Sequence, residues 1–300
     1  MKLLLLFIFI VLSLYTYRNV LNHRANTITI CLYVGRYHPI KKLDRMIEEW
    51  VRYYRYLGAD AIICCDNGID KFKKVNKYCK FLKSDSQAQF LSKCAKHCKT
   101  VWMACFDLDE FFVYDEKIQS RNSLKYFLDE YHNYDALYVK WRIIGHNGLE
   151  NLNYNKDIVK QYTNMTCEDF KRIELPVKDR FNKNLYWSAN VQTKWICKTS
   201  VIKNDLKLLG SPHALIEKHN SVKLNIKKVD WKIARLNHYY ILSKNELSLP
   251  KTVCKSFLKE RLVNNKCVLE NSSLSLREYI QQEIEKSENC PSDSLTKIKF

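Results

Sequence analysis

The sequence predicts an α/β fold with a central sheet that is at least partly parallel. Strand-like and helix-like segments alternate along the first half of the chain, which is typical of parallel strands joined by crossover helices. The chain has 300 residues and is 46% hydrophobic, which is enough for a sizeable core in one large domain or two small ones. It contains only six glycines and five prolines, which argues against long disordered linkers.

The first elements follow from the spacing of apolar residues. The run Ile28–Val34 (ITICLYV) predicts a first strand. Apolar residues then recur at helical spacing from about Leu43 to Leu57, and Gly58 is a typical residue just after a helix. A second strand is predicted at Ala61–Cys65, because this run leads into the turn signal Asp66-Asn67-Gly68.

The next elements repeat the alternation. A helical pattern over Gln87–Cys98 precedes the apolar run Val101–Phe106, which predicts a buried strand. Ser123 is a typical N-cap residue and predicts a helix that continues to about Tyr131. The run Ala136–Trp141 predicts a further strand.

The segment VWMACFDLDEFF (Val101–Phe112) carries the strongest functional signal. Because strand side chains alternate between faces, Asp107 and Asp109 point the same way and Leu108 points toward the core. Two carboxylates at the end of a buried strand suit Mg²⁺ or Mn²⁺, which completes its coordination with substrate phosphates and water. The pattern therefore predicts a phosphate-bearing donor with a metal that offsets charge on the leaving diphosphate. The alternative is an acidic strand-to-loop junction that caps the next element.

Asp66 also follows a predicted strand, as Asp107 does. In open α/β sheets, ligands bind outside the carboxyl ends of the strands. The sequence therefore predicts a cleft that is lined by Asp66, Asp107 and Asp109.

The chain is strongly basic, with a net charge of +18. Such a charge favours polyanions, anionic membranes or phosphorylated ligands. The lysines and arginines are nevertheless scattered along the whole chain, and no nucleic-acid-binding module is recognisable. We therefore predict a basic solvated surface with a local phosphate-binding cleft, and no nucleic-acid partner.

The N-terminus begins with Lys2 and an apolar stretch from Leu3 to about Tyr15. This stretch fits a signal peptide or a short signal anchor, and no small-x-small cleavage site follows it. We predict an anchor at residues 1–20 in a single-pass membrane protein, with the rest of the chain in the Golgi or ER lumen or otherwise extracytoplasmic. In that environment some of the twelve cysteines are expected to pair. A zinc site at Cys94, Cys98 and Cys105 is an open alternative.

A set of short motifs, taken in order, resembles the glycosyltransferase family 92 group and the related glycosyltransferase-2-like proteins. The motifs are Glu49-Trp50, Leu57-Gly58-Ala59-Asp60, Asp66-Asn67, Gln87 with Cys94, Trp102, Phe106-Asp107-Leu108-Asp109-Glu110-Phe111, Trp141 with Gly145, Asn147 and Gly148, Lys194-Trp195-Ile196, and Asn237-His238-Tyr239-Tyr240 with Ser243, Glu246 and Lys251. The resemblance covers about Thr27 to Lys251. The chain departs from the family pattern at Gly35-Arg36-Tyr37, Leu242 and Leu247, which leaves donor sugar and acceptor open.

The resemblance implies a GT-A fold with a Rossmann-like mixed sheet over residues 27–260, followed by a helical or irregular extension at 261–300. The half after about Gly145 is interpreted as completing the cleft. The implied enzyme uses Mn²⁺ or Mg²⁺ to transfer a hexose, with galactose as one candidate. The donor is a nucleotide sugar, UDP-linked in the simplest case, and the acceptor is a glycan or glycoprotein.

The resemblance also implies roles for individual residues. Asp107 and Asp109 become the D-x-D pair for metal and donor, Asp66 lies near the nucleoside, and His238 lies near the metal or diphosphate. An ordinary buried, hydrogen-bonded histidine is the alternative for His238. An inverting reaction needs a general base near the acceptor. The acidic candidates for this base are Glu110, Glu246 and Asp230, together with Glu150 and Glu217.

Two other functional classes stay open. One is a metal-dependent phosphohydrolase or nuclease, which aspartate pairs at strand ends and a basic surface also fit. The other is a catalytically silent, membrane-anchored binding protein of the same fold.

Overall fold

The computed structural model of this chain describes residues 26–34, 43–66, 75–114, 121–145, 147, 149–153, 155–162, 164–165, 172–178, 184–188, 190–239, 260–263, 266–269, 282, 284 and 290–291. The expected anchor at residues 1–20 lies outside these residues. Within the described part of the chain, no helix is both long and apolar enough to cross a membrane. This finding corrects the membrane localisation that the N-terminal run had suggested.

Four α-helices and seventeen strands are present in the described residues. The helices are α1 (Leu43–Tyr56), α2 (Gln87–His97), α3 (Ser123–Glu130) and α4 (Thr199–Asn204), and short 3₁₀ turns occupy Asn76–Tyr78, Ile158–Gln161 and Leu206–Leu208. The strands are β1 (Ile28–Leu32), β2 (Ala61–Asp66), β3 (Lys80–Lys83), β4 (Trp102–Phe106), β5 (Glu110–Tyr114), β6 (Ala136–Ile144), β7 (Asn164–Met165), β8 (Arg172–Lys178), β9 (Asn184–Ser188), β10 (Thr193–Lys198), β11 (Lys218–His219), β12 (Val222–Lys223), β13 (Ile226–Lys228), β14 (Ala234–Tyr239), β15 (Glu260–Val263), β16 (Lys266–Leu269) and β17 (Cys290–Pro291).

Nine of these strands form one mixed sheet in the order β3-β2-β1-β4-β10-β6-β14-β5, with β13 paired to β6. The strands β3, β2, β1 and β4 are parallel, which confirms the predicted partly parallel sheet. Their order is that of a Rossmann-like half-sheet. In the second half, β10 is antiparallel to β4 and to β6, β14 is parallel to β6, and β5 is antiparallel to β14.

The second half of this sheet curls back toward β4. Four strand spacings separate β4 from β5, which in a flat sheet is about 19 Å. The end of β4 at Phe106 and the start of β5 at Glu110 are only four residues apart, so their Cα atoms are at most about 14 Å from each other. The intervening strands must therefore bend around the turn 107–109.

Helices cover both faces of the sheet. On one face, Ile30 of β1 and Ala104 of β4 pack with Trp50 of α1 in one core cluster. On the other face, Cys31 and Cys105 belong to a second cluster with residues of α2. This alternation follows from the period-two geometry of a strand. It places α1, which joins β1 to β2, and α2, which joins β3 to β4, on opposite faces.

Opposite crossovers create a topological switch point between β1 and β4. In α/β sheets the crevice at such a point, outside the carboxyl ends of the strands, is the usual place for a ligand. Asp107 follows β4 directly, so it lies beside this crevice.

The end of α1 has the hydrogen bonds of a Schellman motif. The Ala59 N–H donates to the Tyr54 carbonyl at 2.9 Å, and the Gly58 N–H donates to the Arg55 carbonyl at 3.1 Å. Gly58 has a φ of +97°, which is the conformation this motif requires. The predicted helix end at Gly58 is thus confirmed.

Replacing Gly58 by Ala is expected to cost about 1–2 kcal/mol of stability, because a Cβ disfavours positive φ. The new Cβ would also lie 3.0 Å from Asn122 Oδ1 and 3.1 Å from Asn122 Cα. Urea unfolding measures the change, with the exposed Ser200→Ala in α4 as a control near zero. A Gly58→Ala protein as stable as the unsubstituted one would contradict the stated strain.

The predicted capping role of Ser123 is wrong. The N-cap of α3 is Asn122, with a φ of +66°, and Ser123 is the first helical residue. Ser123 is fully buried, and the Asn122 N–H donates to the Tyr56 carbonyl at 3.0 Å. The contact with the end of α1 therefore sets where α3 begins. The preference of Ser123 for the N-cap position does not set it alone.

The cysteines in the described regions do not support the expected disulfides. Eight of the twelve have described side chains, and none of these forms a disulfide within the described residues; they are Cys31, Cys64, Cys65, Cys79, Cys94, Cys98, Cys105 and Cys197. Most are buried in the two core clusters. They act there as small apolar residues.

Candidate functional site

One edge of the sheet gathers the residues of the candidate site. The strand directions place the carboxyl ends of β2, β4, β6 and β14 at this edge, together with the starts of β5 and β10. Asp66 ends β2, Asp107 follows β4, and His238 is next to last in β14. Glu110 begins β5 and Lys194 is the second residue of β10. Residues far apart in sequence thus converge here.

The backbone of Asp107 is held from two sides. Trp50 Nε1 of α1 donates to the Asp107 carbonyl at 3.0 Å, and the Glu110 N–H donates to the same carbonyl at 3.1 Å. The Asp107 N–H in turn donates to Glu110 Oε2 at 2.7 Å. This closed turn fixes the direction in which the Asp107 side chain leaves β4.

A buried lysine contacts the acidic turn. Lys194 Nζ lies 2.6 Å from Asp107 Oδ2 and 3.4 Å from Glu110 Oε1, and the Lys194 side chain is 0% exposed. Burial lowers the pKa of Lys194, but the carboxylates of Glu110 and Asp107 raise it by more, so the net direction is upward. Lys194 is therefore a positive charge enclosed by the site.

Glu110 is the buried member of the acidic group. Its side chain is 0% exposed, and the Tyr54 hydroxyl donates to its backbone carbonyl at 3.0 Å. Burial raises the pKa of Glu110, Lys194 lowers it in part, and Asp107 raises it further, to about 7. Glu110 thus faces the turn and Lys194 instead of solvent.

Asp109 lies against a histidine of β14. His238 Nε2 is 3.5 Å from Asp109 Oδ2, and the Tyr239 N–H donates to the Asp109 carbonyl at 2.8 Å. The Trp141 ring of β6 packs on His238 with the ring centroids 4.1 Å apart, and the His213 ring lies edge-on to Trp141 at 5.1 Å. Asp109 is 21% exposed, so it is accessible from the edge.

The other candidates from the sequence are Asp66, Asp230, Glu150, Glu217 and Glu246. For Asp66, only the backbone is described, at the end of β2. Asp230 is exposed in the turn before β14, where its Oδ1 accepts from the Lys232 N–H at 2.9 Å. Glu150 and Glu217 are exposed, and Glu246 lies outside the described residues.

Among the described residues, Lys194, Trp141 and His213 also belong to the site. The sequence indicated the first two, as parts of motifs or as a stacking aromatic, but not His213. The signal for Lys194 was a lysine that precedes the apolar run of a strand, whose next three residues are buried. A lysine is rarely buried without a partner of opposite charge, so this position indicated a paired charge. The sequence contained no signal for His213. This residue lies in an irregular segment, which only the tertiary fold brings to Trp141.

The residues fit a metal that is held jointly with a substrate. No group of three or more His, Cys, Asp or Glu side chains able to hold a metal ion occurs in the described part of the chain, including around Cys94, Cys98 and Cys105. Asp107 and Asp109 are 32% and 21% exposed. Two accessible carboxylates suffice for Mg²⁺ or Mn²⁺ when substrate phosphates provide further ligands.

No protein-family model and no curated protein matches the sequence. The chain is similar to solved structures that include the bifunctional IspDF from Campylobacter jejuni, with a TM-score of 0.36 and 13% identity over 68% of this chain and 49% of that one. For the 2-C-methyl-D-erythritol 4-phosphate cytidylyltransferase from Thermus thermophilus, the TM-score is 0.34, with 8% identity over 68% of this chain and 87% of that one.

For TarS 1-349 from S. aureus, the TM-score is also 0.34, with 13% identity over 60% of this chain and 49% of that one. The chain therefore spans about half the length of IspDF and of this TarS structure. A likeness at these TM-scores says nothing about function, so the function has to be inferred from the geometry of the site.

Proposed function

We propose that this chain is a metal-dependent glycosyltransferase of the GT-A type, which transfers a hexose from a nucleoside-diphosphate donor to a glycan or glycoprotein. The observation that carries the proposal is the position of Asp107 and Asp109 at the carboxyl end of β4, beside the switch point of the sheet. A ligand at this edge meets both carboxylates, and His238 lies 3.5 Å from Asp109. Such an edge is where α/β sheets bind phosphate-bearing ligands.

The same edge supports an arrangement for the donor. Asp66 ends β2, two strands away from β4, so a nucleoside over β1 and β2 would leave its diphosphate next to Asp107 and Asp109. The net charge of +18 favours an anionic donor of this kind. We therefore assign the nucleoside to the side of Asp66 and the diphosphate to the side of Asp109.

The chain's own residues have distinct tasks in the proposed reaction. When bound, Mn²⁺ or Mg²⁺ offsets the charge that develops on the leaving diphosphate. Asp107 and Asp109 would hold this metal, which would in turn bind the diphosphate end of the donor. His238 fixes the side chain of Asp109. The acceptor hydroxyl attacks the anomeric carbon and the bond to the diphosphate oxygen breaks, through a transition state with oxocarbenium character.

Glu110 is assigned to positioning and not to proton transfer. Its side chain is fully buried, one oxygen accepts the Asp107 N–H, and the other faces Lys194. A general base has to come within hydrogen-bond reach of the acceptor hydroxyl. The reaction releases the nucleoside diphosphate and one proton, which in an inverting reaction would pass to solvent and not to Glu110.

A nucleotide-sugar screen tests the proposal. Purified protein is incubated with a panel of UDP-, GDP- and CDP-sugars, with Mn²⁺ or with EDTA, and release of the nucleoside diphosphate is measured. We expect Mn²⁺-dependent release from one donor class, with loss of release in Asp109→Asn. Hydrolysis of phosphate esters or nucleic acid in place of sugar nucleotides would identify a phosphohydrolase or nuclease. Binding of UDP with Mn²⁺ but no turnover would identify a silent binding protein.

His238→Ala is expected to lower turnover at least about tenfold, or about 1.4 kcal/mol of transition-state stabilisation. The reason is that the imidazole lies 3.5 Å from Asp109 Oδ2 and packs against the Trp141 ring, so it holds the Asp109 side chain in place. Turnover and melting temperature are measured on the same preparation. A variant that is destabilised by roughly 1–3 kcal/mol but fully active per folded molecule would make His238 a structural residue only.

A further inference from the structure

The candidate metal site contains its own buried cation. Three carboxylates, those of Asp107, Asp109 and Glu110, lie in four consecutive positions, and Lys194 Nζ contacts two of them at 2.6 and 3.4 Å. The Lys194 side chain is 0% exposed. It therefore cannot touch a substrate and can act only through the residues that it contacts.

The ammonium group of Lys194 donates to Asp107 Oδ2, which is one of the oxygens that a metal would use. A divalent ion bound to Asp107 Oδ2 at about 2.1 Å would lie within about 5 Å of Lys194 Nζ, which is 2.6 Å from the same oxygen. Two cations at that separation repel each other, and the repulsion is screened less because Lys194 is enclosed. Without further negative charge, a metal at Asp107 is therefore opposed by Lys194.

Glu110 is not placed to act as a ligand for the metal. Its Oε2 accepts the Asp107 N–H at 2.7 Å, its Oε1 faces Lys194 at 3.4 Å, and the side chain is enclosed. Among the described residues, the donors that could serve a metal in the free protein are Asp109, the second oxygen of Asp107, and His238 if it turns from Asp109. A nucleoside diphosphate at the same edge would add both ligands and negative charge.

We infer that Lys194 makes divalent-metal binding conditional on the nucleoside diphosphate, by neutralising Asp107 until the diphosphate arrives. This inference rests on the proposed function, because it assumes that Asp107 and Asp109 hold the metal with the donor. Lys194 then acts through its contact with Asp107 and does not touch the substrate. It prevents the free protein from binding metal without donor.

Mn²⁺ binding, followed by the EPR signal of free Mn²⁺, tests the inference without any turnover. In the unsubstituted protein, we expect UDP to tighten Mn²⁺ binding by at least about tenfold. In Lys194→Met, which keeps the length of the side chain but removes the charge, we expect Mn²⁺ binding without UDP to tighten at least about tenfold. In Lys194→Met, UDP should therefore increase the affinity for Mn²⁺ by less than it does in the unsubstituted protein.

A matched control is Lys125→Met. Lys125 Nζ lies 2.8 Å from Asp60 Oδ1, just before β2 and thus at the opposite edge of the sheet. Its removal should leave Mn²⁺ binding unchanged. If Lys194→Met does not fold, as circular dichroism would show, the double variant Glu110→Gln/Lys194→Met removes the buried carboxylate as well and should give the same gain in Mn²⁺ binding.

The outcomes separate this inference from the proposed function. A folded Lys194→Met protein whose Mn²⁺ affinity without UDP is unchanged would overturn the inference, as would tight Mn²⁺ binding by the unsubstituted protein without UDP. In either case, Mn²⁺ binding with UDP would still support the metal-dependent function. If no protein binds Mn²⁺ even with UDP, the metal site itself is wrong, and the inference fails with it.

Discussion

Asp109→Asn is expected to lower sugar transfer at least about a hundredfold, or about 2.7 kcal/mol of transition-state stabilisation. The side chain is 21% exposed at the site edge and lies 3.5 Å from His238. Asn keeps the shape of the side chain but removes the charge on which a divalent cation depends. Steady-state transfer rates at saturating Mn²⁺ measure the effect.

The same substitution should leave the fold intact. Asp109 belongs to a group of like charges with Asp107 and Glu110, whose mutual repulsion is reduced when one charge is removed. Asp109→Asn should therefore melt within a few degrees of the unsubstituted protein. The exposed Asp85→Asn, at a distance from the acidic turn in the segment between β3 and α2, is the control for both measurements. An Asp109→Asn protein with near-normal transfer would remove this residue from the site.

The two aspartates are not equivalent as targets, although the sequence suggests that they are. Asp107 is ion-paired with the buried Lys194 at 2.6 Å, whereas Asp109 faces His238. Asp107→Ala would leave Lys194 with Glu110 alone as a counter-charge. Loss of activity in that variant would thus combine lost chemistry with a disturbed turn, and Asp109→Asn is the clearer experiment.

Lys194→Ala is expected to destabilise the fold by about 3–5 kcal/mol, because it leaves Glu110 buried without its opposite charge. Lys194 and Glu110 are both 0% exposed, with Lys194 Nζ 3.4 Å from Glu110 Oε1. The free energy of unfolding from urea titration measures the loss. A loss of this size would be a large fraction of the stability of a typical domain.

The double variant Lys194→Met/Glu110→Gln provides the matched comparison. It replaces both buried charges by neutral side chains of similar size, so no isolated charge is left. It should therefore unfold at a higher urea concentration than Lys194→Ala. If Lys194→Ala were destabilised by less than about 1 kcal/mol, Lys194 and Glu110 would be solvated in solution. The description of Lys194 as an enclosed positive charge would then be wrong.

In the parallel half of the sheet, β1, β2 and β4 could be predicted from the sequence because their signals are local. The fourth strand, β3, was not predicted, because it has a lysine at each end and no buried residue. The apolar run of β4 and the helical spacing of α1 each bury a continuous face, so pattern and structure agree. Strand ends differ by one or two residues, as with β1, which ends at Leu32 and not at Val34. Such boundaries depend on pairing with neighbours, which a single sequence does not contain.

In the second half of the sheet, the strand β6 could be predicted from the run Ala136–Trp141. The pairing of the strands could not be predicted, because the partners are distant in sequence. β10 inserts between β4 and β6, and β14 pairs with both β6 and β5. These pairings bring Lys194 to Asp107, 87 positions earlier, and His238 to Asp109 across a still longer stretch of chain. The aspartate pair was readable from its own segment, whereas the contact between Asp107 and Lys194 was not.

Diffraction from crystals soaked with Mn²⁺ and UDP, with data collected at the manganese absorption edge, tests the central claim most directly. We expect one anomalous peak about 2.0–2.2 Å from carboxylate oxygens of Asp107 and Asp109, with the diphosphate on the same ion and the uridine toward the end of β2. UDP bound away from this edge, or a manganese peak that contacts neither aspartate, would contradict it.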